Sequence, residues 1–335
     1  MDNAEAVVFA GVDDGFMETK IVLPGGVMIR IPSQSKAGQH NQINISGEST
    51  SVFAYDTEDG PFVVGEIDES DSTKQDEYPV SAMNRVLVAH ALRKAGLTNG
   101  EVVCACSGLP VTRFYKGKAP NGALIAAKKA NLLKTDVRAL DGTRIARIAR
   151  HDVVSEAIAA WLDLVLQRQG GEIVVNRDEA SKKTAIVDMG GRTVDIAVLR
   201  DFNLDIDRSS TIEVGMLNVQ ETLRTSLSDR FDAEPTTDQL NRAMRTGVFR
   251  IFGKDEAVTD LIEPAKRQIV QSVRAEVMRR LKKAGDIDQV VFAGGTAAAL
   301  RSHLEGWFPH QVISQDPAFA NARGMAKYAE YVATA

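Results

Sequence analysis

The sequence predicts an α/β protein built as a hinged pair of lobes. Two observations lead there. Strands alternate with helices along the chain, and one strand–Asp–Gly–strand unit occurs twice, near residues 12–22 and 187–198. Such alternation layers helices on sheets and argues against a bundle or an all-β barrel. The 335 residues suit two domains at roughly 150 residues each.

In chain order, VVFAGV (7–12) and TKIVL (19–23) read as strands, and Pro24-Gly25-Gly26 turns the chain into VMIRI (27–31). The polar stretch from Ser33 to Ser51 reads as a loop, and SVFAY (51–55) with PFVVG (61–65) as a hairpin. Residues 66–77 are acidic and are expected to face solvent as a surface loop. Ser81 to Ala95 has helical periodicity and a Gly96 stop, and EVVCACSGL (101–109) is a strand ending at Pro110. Helices are expected at 121–134 and 152–169, then the strands TAIVDMGG (184–191) and TVDIAVL (193–199). Further helices fall near 216–230, 236–246 and 256–284, followed by strand QVVFA (289–293) and helix TAAALRSHL (296–304). A strand near 311–314 and a helix at 317–333 finish the chain. The basic stretch from Lys266 to Lys283 is interspersed with Glu276 and apolar residues, as on a solvated helix face. No low-complexity linker separates the halves. The boundary is placed near residue 160, with lobe I at 1–160 completed by the C-terminal helix (315–335) and lobe II at 161–314.

Composition excludes several classes. Hydrophobic residues make up 44% and charged residues 25%, as in ordinary globular chains and unlike disordered ones. No apolar run approaches the ~20 residues that a membrane-spanning helix needs. The N-terminus has acids and no basic residues before its apolar run, which is unlike a secretory signal. Lys+Arg 40 against Asp+Glu 45 leaves a net charge of −5. Binding to nucleic acid relies on cations that replace counterions at phosphates, so direct sequence-specific DNA binding is not expected. Cys104 and Cys106 are the only cysteines, too few for a disulfide framework or metal knuckle, and a reducing cytoplasm is expected. There is no Walker A loop, no glycine pair two apart for a dinucleotide fingerprint, and no Gly-x-Ser-x-Gly elbow. The five histidines are scattered without metal-ligand spacing.

The repeated unit carries the chemistry. Val12 to Val22 and Val187 to Val198 each run apolar strand, Asp, Gly turn and second apolar strand. An Asp that ends a buried strand is placed to hold a hydrated Mg²⁺, which takes oxygen ligands and keeps several waters. The Gly turn bares backbone N–H groups that form an anion-binding concavity. Lys20 adds a point charge and Thr193 a hydroxyl. Two such hairpins face to face would clamp one phosphate chain. A single hairpin could equally use its Asp and Gly only to make the turn. A third segment agrees with the clamp: QVVFAGGTAAAL (289–300) puts Gly294-Gly295 between strand and helix, where a ring or phosphate can approach the backbone. Gly215, before a helix, could approach sugar or phosphates or simply cap.

In this order, the three segments resemble the two phosphate loops and the adenosine loop of the actin-like ATPase superfamily of actin, sugar kinases and DnaK-type chaperones. Within it the chain is most similar to the ParM family of plasmid-segregating bacterial actins. The similarity rests on Asp13-Asp14-Gly15 with Lys20, on Gly108 to Tyr115, on Asp188-Met189-Gly190-Gly191-Arg192-Thr193-Val194-Asp195, and on Asn321 to Met325. It covers essentially the whole chain.

The resemblance implies two lobes with ribonuclease H-like cores and a nucleotide cleft between them. It also implies ATP and ADP as ligands with Mg²⁺ held through water by Asp188 and Asp13. Phosphate contacts would come from Asp13, Asp14, Gly15, Lys20, Gly190, Gly191, Arg192 and Thr193, and nucleoside contacts from Gly215, Gly294, Gly295 and Thr296. The implied activity is ATP hydrolysis coupled to head-to-tail polymerisation, with a ParR-like adaptor on centromeric DNA as partner. A small-molecule kinase or a nucleotide-switched scaffold are the alternatives. Two departures stand out. Phe16-Met17 replace the Ser or Thr that often follows the first loop's Gly, and the first connecting helix lacks an evident leading Glu or Gln. Alignment places Asp152 at that catalytic position, with Glu156 one helical turn further on as the substitute.

Overall fold

The computed structural model describes residues 7–38, 52–65, 67 and 70–334. Two five-stranded sheets share one strand order. In the first, a hairpin of Val8–Asp14 and Glu18–Val22 extends to Met28–Pro32 on one side. On the other side Val102–Leu109 and Arg147–Ser155 add in parallel. In the second, the hairpin of Thr184–Met189 and Val194–Arg200 extends to Asn203–Ile212. Gln289–Ala293 and Gln311–Ile313 then add in parallel. Each sheet is thus three antiparallel strands followed by two parallel ones, with the chain's Asp–Gly turn after the central strand.

Central strands are apolar on both faces because helices cover both sides. Thr184–Met189 is buried throughout, whereas the edge strand Met28–Pro32 is mostly exposed. Ala82–Lys94 packs on the first sheet, its start capped by Ser81, whose hydroxyl accepts from the Asn84 N–H. Met216–Phe231 and Thr259–Leu281 cover the second, through Val219, Val273 and Val277. Each half also carries a smaller unit. Ser35–Ala37, Val52–Asp56, Phe62–Gly65 and Arg138–Ala139 form a four-stranded sheet beside the first. The hairpin Val248–Ile251/Lys254–Ala257 packs Phe249 among Leu223, Leu227, Leu240 and Ile262 beside the second.

Glu156–Val165 and the C-terminal helix Ala320–Thr334 cross between the sheets. The approach needs glycine. A Cβ on Gly324 would sit 1.8 Å from the Ala159 carbonyl oxygen, and one on Gly11 1.8 Å from that of Ala322.

Several expected bounds are corrected. The helix expected at 152–169 is strand through Ser155, helix over Glu156–Val165, and strand again over Leu166–Gln169. The helix expected at 256–284 runs Thr259–Leu281, after a hairpin the sequence reading did not contain. The helix at 296–304 is Gly295–Ala299 followed by a 3-10 turn. Of the loop expected over 33–51, Ser35–Ala37 is a strand and 39–51 lie outside the described residues. Of the acidic 66–77 segment, residues 66, 68 and 69 lie outside the described residues; 74–77 are exposed as expected, and two of them also form ion pairs, Lys74 with Glu221 at 2.7 Å and Asp76 with Arg192 at 2.8 Å.

Candidate functional site

The two Asp–Gly hairpins are equivalent in backbone register and differ in charge. In each, the strand-end Asp faces across the antiparallel pair the residue seven positions on: Asp13 faces Lys20, and Asp188 faces Asp195. The first register position therefore holds an ion pair and the second an acid pair. Lys20 Nζ donates to Asp13 Oδ2 at 3.0 Å, with both side chains buried. Burial pushes the Lys20 ammonium down, but the carboxylates of Asp13, Glu18 and Asp188 outweigh it and hold the pKa above its ordinary value.

In the second hairpin, Asp188 Oδ2 accepts from Asn321 Nδ2 at 2.8 Å. Its Oδ1 is buried without a partner among the described residues. Burial, and then the Asp195 charge, push the Asp188 carboxyl up to about 7. Asp195 accepts from the Val111 N–H at 2.7 Å and from the Thr211 hydroxyl. Burial raises it to about 6 against those hydrogen bonds. Glu156, the first residue of its helix, completes the group. Burial and then Asp195, Asp13 and Asp188 push its carboxyl well above the usual range. One oxygen each from Glu156, Asp188 and Asp195 lie within 4.8 Å of one another. An orphaned buried oxygen among hard carboxylate donors fits a divalent cation of the Mg²⁺ type, which would favour the ionised forms that burial opposes.

Both turns, the Gly294-Gly295 segment and the start of the Glu156 helix surround one cavity of about 420 Å³. It brings together Asp13, Asp14, Gly15, Lys20, Glu156, Asp188, Gly190, Gly191, Arg192, Thr193, Gly294, Gly295 and Thr296. Gly294 has a φ of 92°, and a Cβ there would lie 2.3 Å from the Met189 carbonyl oxygen and 2.5 Å from Asp188 Oδ1. The Thr296 hydroxyl donates to the Gly190 carbonyl at 2.7 Å, tying this segment to the second turn.

Two expected residues lie outside the cavity. Asp152 is on the strand Arg147–Ser155, not at the helix start, and pairs with Lys129 at 3.2 Å and Arg150 at 2.9 Å. Glu156 holds the helix-start position instead. Gly215 packs on the second turn: a Cβ would meet the Gly191 carbonyl oxygen at 2.4 Å. Two others face differently from expectation. Asp14 takes Lys128 Nζ at 2.7 and 2.9 Å and Asn84 Nδ2 at 2.7 Å, so its carboxylate anchors neighbouring helices. Arg192 lies over the Phe16 ring at 4.9 Å and pairs with Asp76. Glu18, Lys128 and Asn321 were not anticipated as cavity residues. Asn321 lay within a segment already singled out, whereas no local pattern marks Lys128.

The sheet order, the crossed helices and the cavity between them define an actin-like fold. Structural comparison agrees. The archaeal actin homologue Ta0583 superposes with a TM-score of 0.72 at 20% identity, covering 97% of this chain and 99% of that one. A 15-stranded ParM filament from Clostridium botulinum gives 0.73 at 19%, covering 96% and 98%. Bacillus thuringiensis ParM with AMPPNP gives 0.65 at 15%, covering 98% and 99%. Comparison with curated protein sequences gives no match. Residues 9–166 match the family model of the N-terminal part of the plasmid segregation protein ParM. Residues 186–306 match that of the C-terminal part of the archaeal actin homologue MreB-like. The first half of the chain is thus similar to ParM and the second to the archaeal MreB-like actin homologue, on an actin-like fold throughout. Among the described residues no helix is long and apolar enough to cross a membrane.

Proposed function

We propose that the protein binds ATP with Mg²⁺ in this cavity, hydrolyses it, and assembles head to tail into a cytoplasmic polymer that segregates plasmid DNA. The observation that carries the reading is the pair of facing hairpins, one with an ion pair and one with an acid pair, around a common cavity. ADP in a structure of the archaeal homologue and AMPPNP in the Bacillus protein support nucleotide binding. The Clostridium filament supports self-association.

Lys20 and the turn amides at Gly15, Gly190 and Gly191 hold the phosphates, and Gly294, Gly295 and Thr296 lie along the nucleoside. Asp188 and Asp195 would hold the cation, with Asp13 contributing through water, which leaves the Glu156 carboxylate for the attacking water. A bound Mg²⁺ neutralises phosphate charge and acts as a Lewis acid. Glu156 orients the attacking water and takes its proton. Phosphoryl transfer to water relies mainly on positioning and charge stabilisation: the buried carboxylate at the helix start supplies the positioning, and Lys20 the positive charge. Lobe I comprises residues 1–160 with the C-terminal helix, and lobe II residues 161–314. A heterologous contact that does not close produces a helical polymer from one pair of surfaces. With a net charge of −5, contact with DNA falls to an adaptor on the centromere.

Sedimentation with ATP, with AMPPNP and without nucleotide, alongside phosphate release, tests the reading. Pelletable polymer with either nucleotide and phosphate release with ATP alone are expected. A monomer under every condition that still turns over ATP would move the protein to the small-molecule kinases. Absence of both nucleotide binding and turnover would remove the proposal.

A further inference from the structure

The first turn carries Phe16 and Met17, which offer no hydroxyl to a phosphate. Both side chains instead cross the cleft. Met17 lies against Gly191, where a Cβ would come within 2.7 Å of Met17 Cγ. The Phe16 ring sits under the Arg192 guanidinium, 4.9 Å from ring centroid to Arg192 Cζ, and is backed by Tyr78 at 5.4 Å. The segment at 73–76 closes over this contact. The Thr73 hydroxyl donates to the Phe16 carbonyl at 2.5 Å. Asp76 Oδ1 accepts from Arg192 Nη2 at 2.8 Å, and its carbonyl accepts from Arg113 Nη2 at 2.6 Å. Lys74 Nζ reaches Glu221 Oε1 on the helix Met216–Phe231 at 2.7 Å. Arg192 Nη1 is buried with no partner among the described residues, so a donor remains beside the cavity.

We propose that Phe16, Arg192 and Asp76 form a clasp across the cleft mouth that sets the rate of nucleotide exchange, an inference that rests on the nucleotide reading of the cavity. The two turns must part for a ligand to pass between them, and parting breaks the stacked cation and the Asp76 ion pair together. Each contact alone is weak, since the Asp76 carboxylate is well exposed and a single stacked guanidinium adds little. The clasp therefore adjusts an opening rate without holding the fold together. Arg192 serves both parts: Nη2 stays on Asp76, and the orphaned Nη1 can donate to a ligand oxygen.

Hydrogen exchange on the nucleotide-free protein tests the clasp independently of any ligand. In Phe16→Ser and in Asp76→Asn, amides at 190–193 and 216–221 should exchange about fivefold to tenfold faster than in wild type. The core strand Thr184–Met189 should exchange unchanged. Release of a fluorescent ATP analogue should quicken by a similar factor, and in Asp76→Asn more so at low salt, where the lost ion pair contributes most. Unaltered local exchange in both variants, or a uniform rise across the core, overturns the clasp. Unaltered analogue release alongside faster local exchange overturns its control of nucleotide exchange. A wild-type protein that binds no analogue overturns the nucleotide reading, and with it the clasp's part in exchange.

Discussion

Replacing Asp188 by Asn should stabilise the nucleotide-free protein, and more at neutral to alkaline pH than in acid. The carboxyl is buried opposite Asp195, and its proton is held up to about 7 from an ordinary 3.8. That is about three pH units, which at ~1.4 kcal/mol each amounts to about 4 kcal/mol. The sign follows from proton linkage. Between the two values the unfolded chain has lost this proton while the folded protein keeps it. Stability present at low pH is therefore lost as pH rises through about 4 to 7, and above that range the whole penalty is carried. Asn cannot ionise, and its Oδ1 can still accept from Asn321. Urea unfolding at about pH 8 and about pH 5 measures the difference: the variant should gain up to about 4 kcal/mol at the higher pH and less than half of that at the lower. Mg²⁺-dependent turnover should disappear at both. A variant no more stable than wild type at the higher pH, or one whose advantage is independent of pH, would refute the electrostatic account of this acid pair.

Two further outcomes are expected. Glu156→Gln should bind ATP yet hydrolyse it ~10²–10⁴-fold more slowly, while Asp152→Asn, whose carboxylate is occupied by Lys129 and Arg150 outside the cavity, should hydrolyse near the wild-type rate. Single-turnover phosphate release distinguishes them, and the opposite ranking would return the role to Asp152. Gly324→Ala should lower stability by ~3 kcal/mol or more, because its Cβ would sit 1.8 Å from a backbone oxygen. Gly285→Ala, with nothing among the described residues within 4 Å of the added carbon, serves as the neutral comparison in the same urea titration.

The parts of this architecture that were legible in the sequence are those written locally. Thr184–Met189 announces itself as a strand because central strands are apolar on both faces, and Gly190-Gly191 marks its turn. Two copies of that pattern were enough to place opposing walls of one cavity. The displaced helix start at Asp152 is also local in origin. Apolar periodicity runs on through Val153 and Val154, β-branched residues that favour strand, before the Ser155-Glu156 junction where the helix begins. What stayed hidden is what only folding brings together. Lys128 meets Asp14 across 114 positions, and Asp76 meets Arg192 across 116. In sequence, Lys128 is one of several helix lysines and Asp76 one of many acids in a polar run. Neither has a neighbour that reveals its partner.

The contact at Gly324 and Ala159 is a rivet. Backbone bears directly on backbone there, so the two helices can turn about the point but cannot slide without losing it. Their leading ends, Asn321 and Glu156, line the cavity between the hairpins. Beyond the rivet the same two helices contribute Tyr328 and Tyr331 on one side, and Trp161 and Leu162 on the other, to an apolar groove of about 660 Å³. The pair is a set of shears with short blades in the cavity and handles in the groove. Any rotation that brings Asn321 toward Glu156 must alter the gap between Tyr328 and Trp161 as well, with no relay of side chains required.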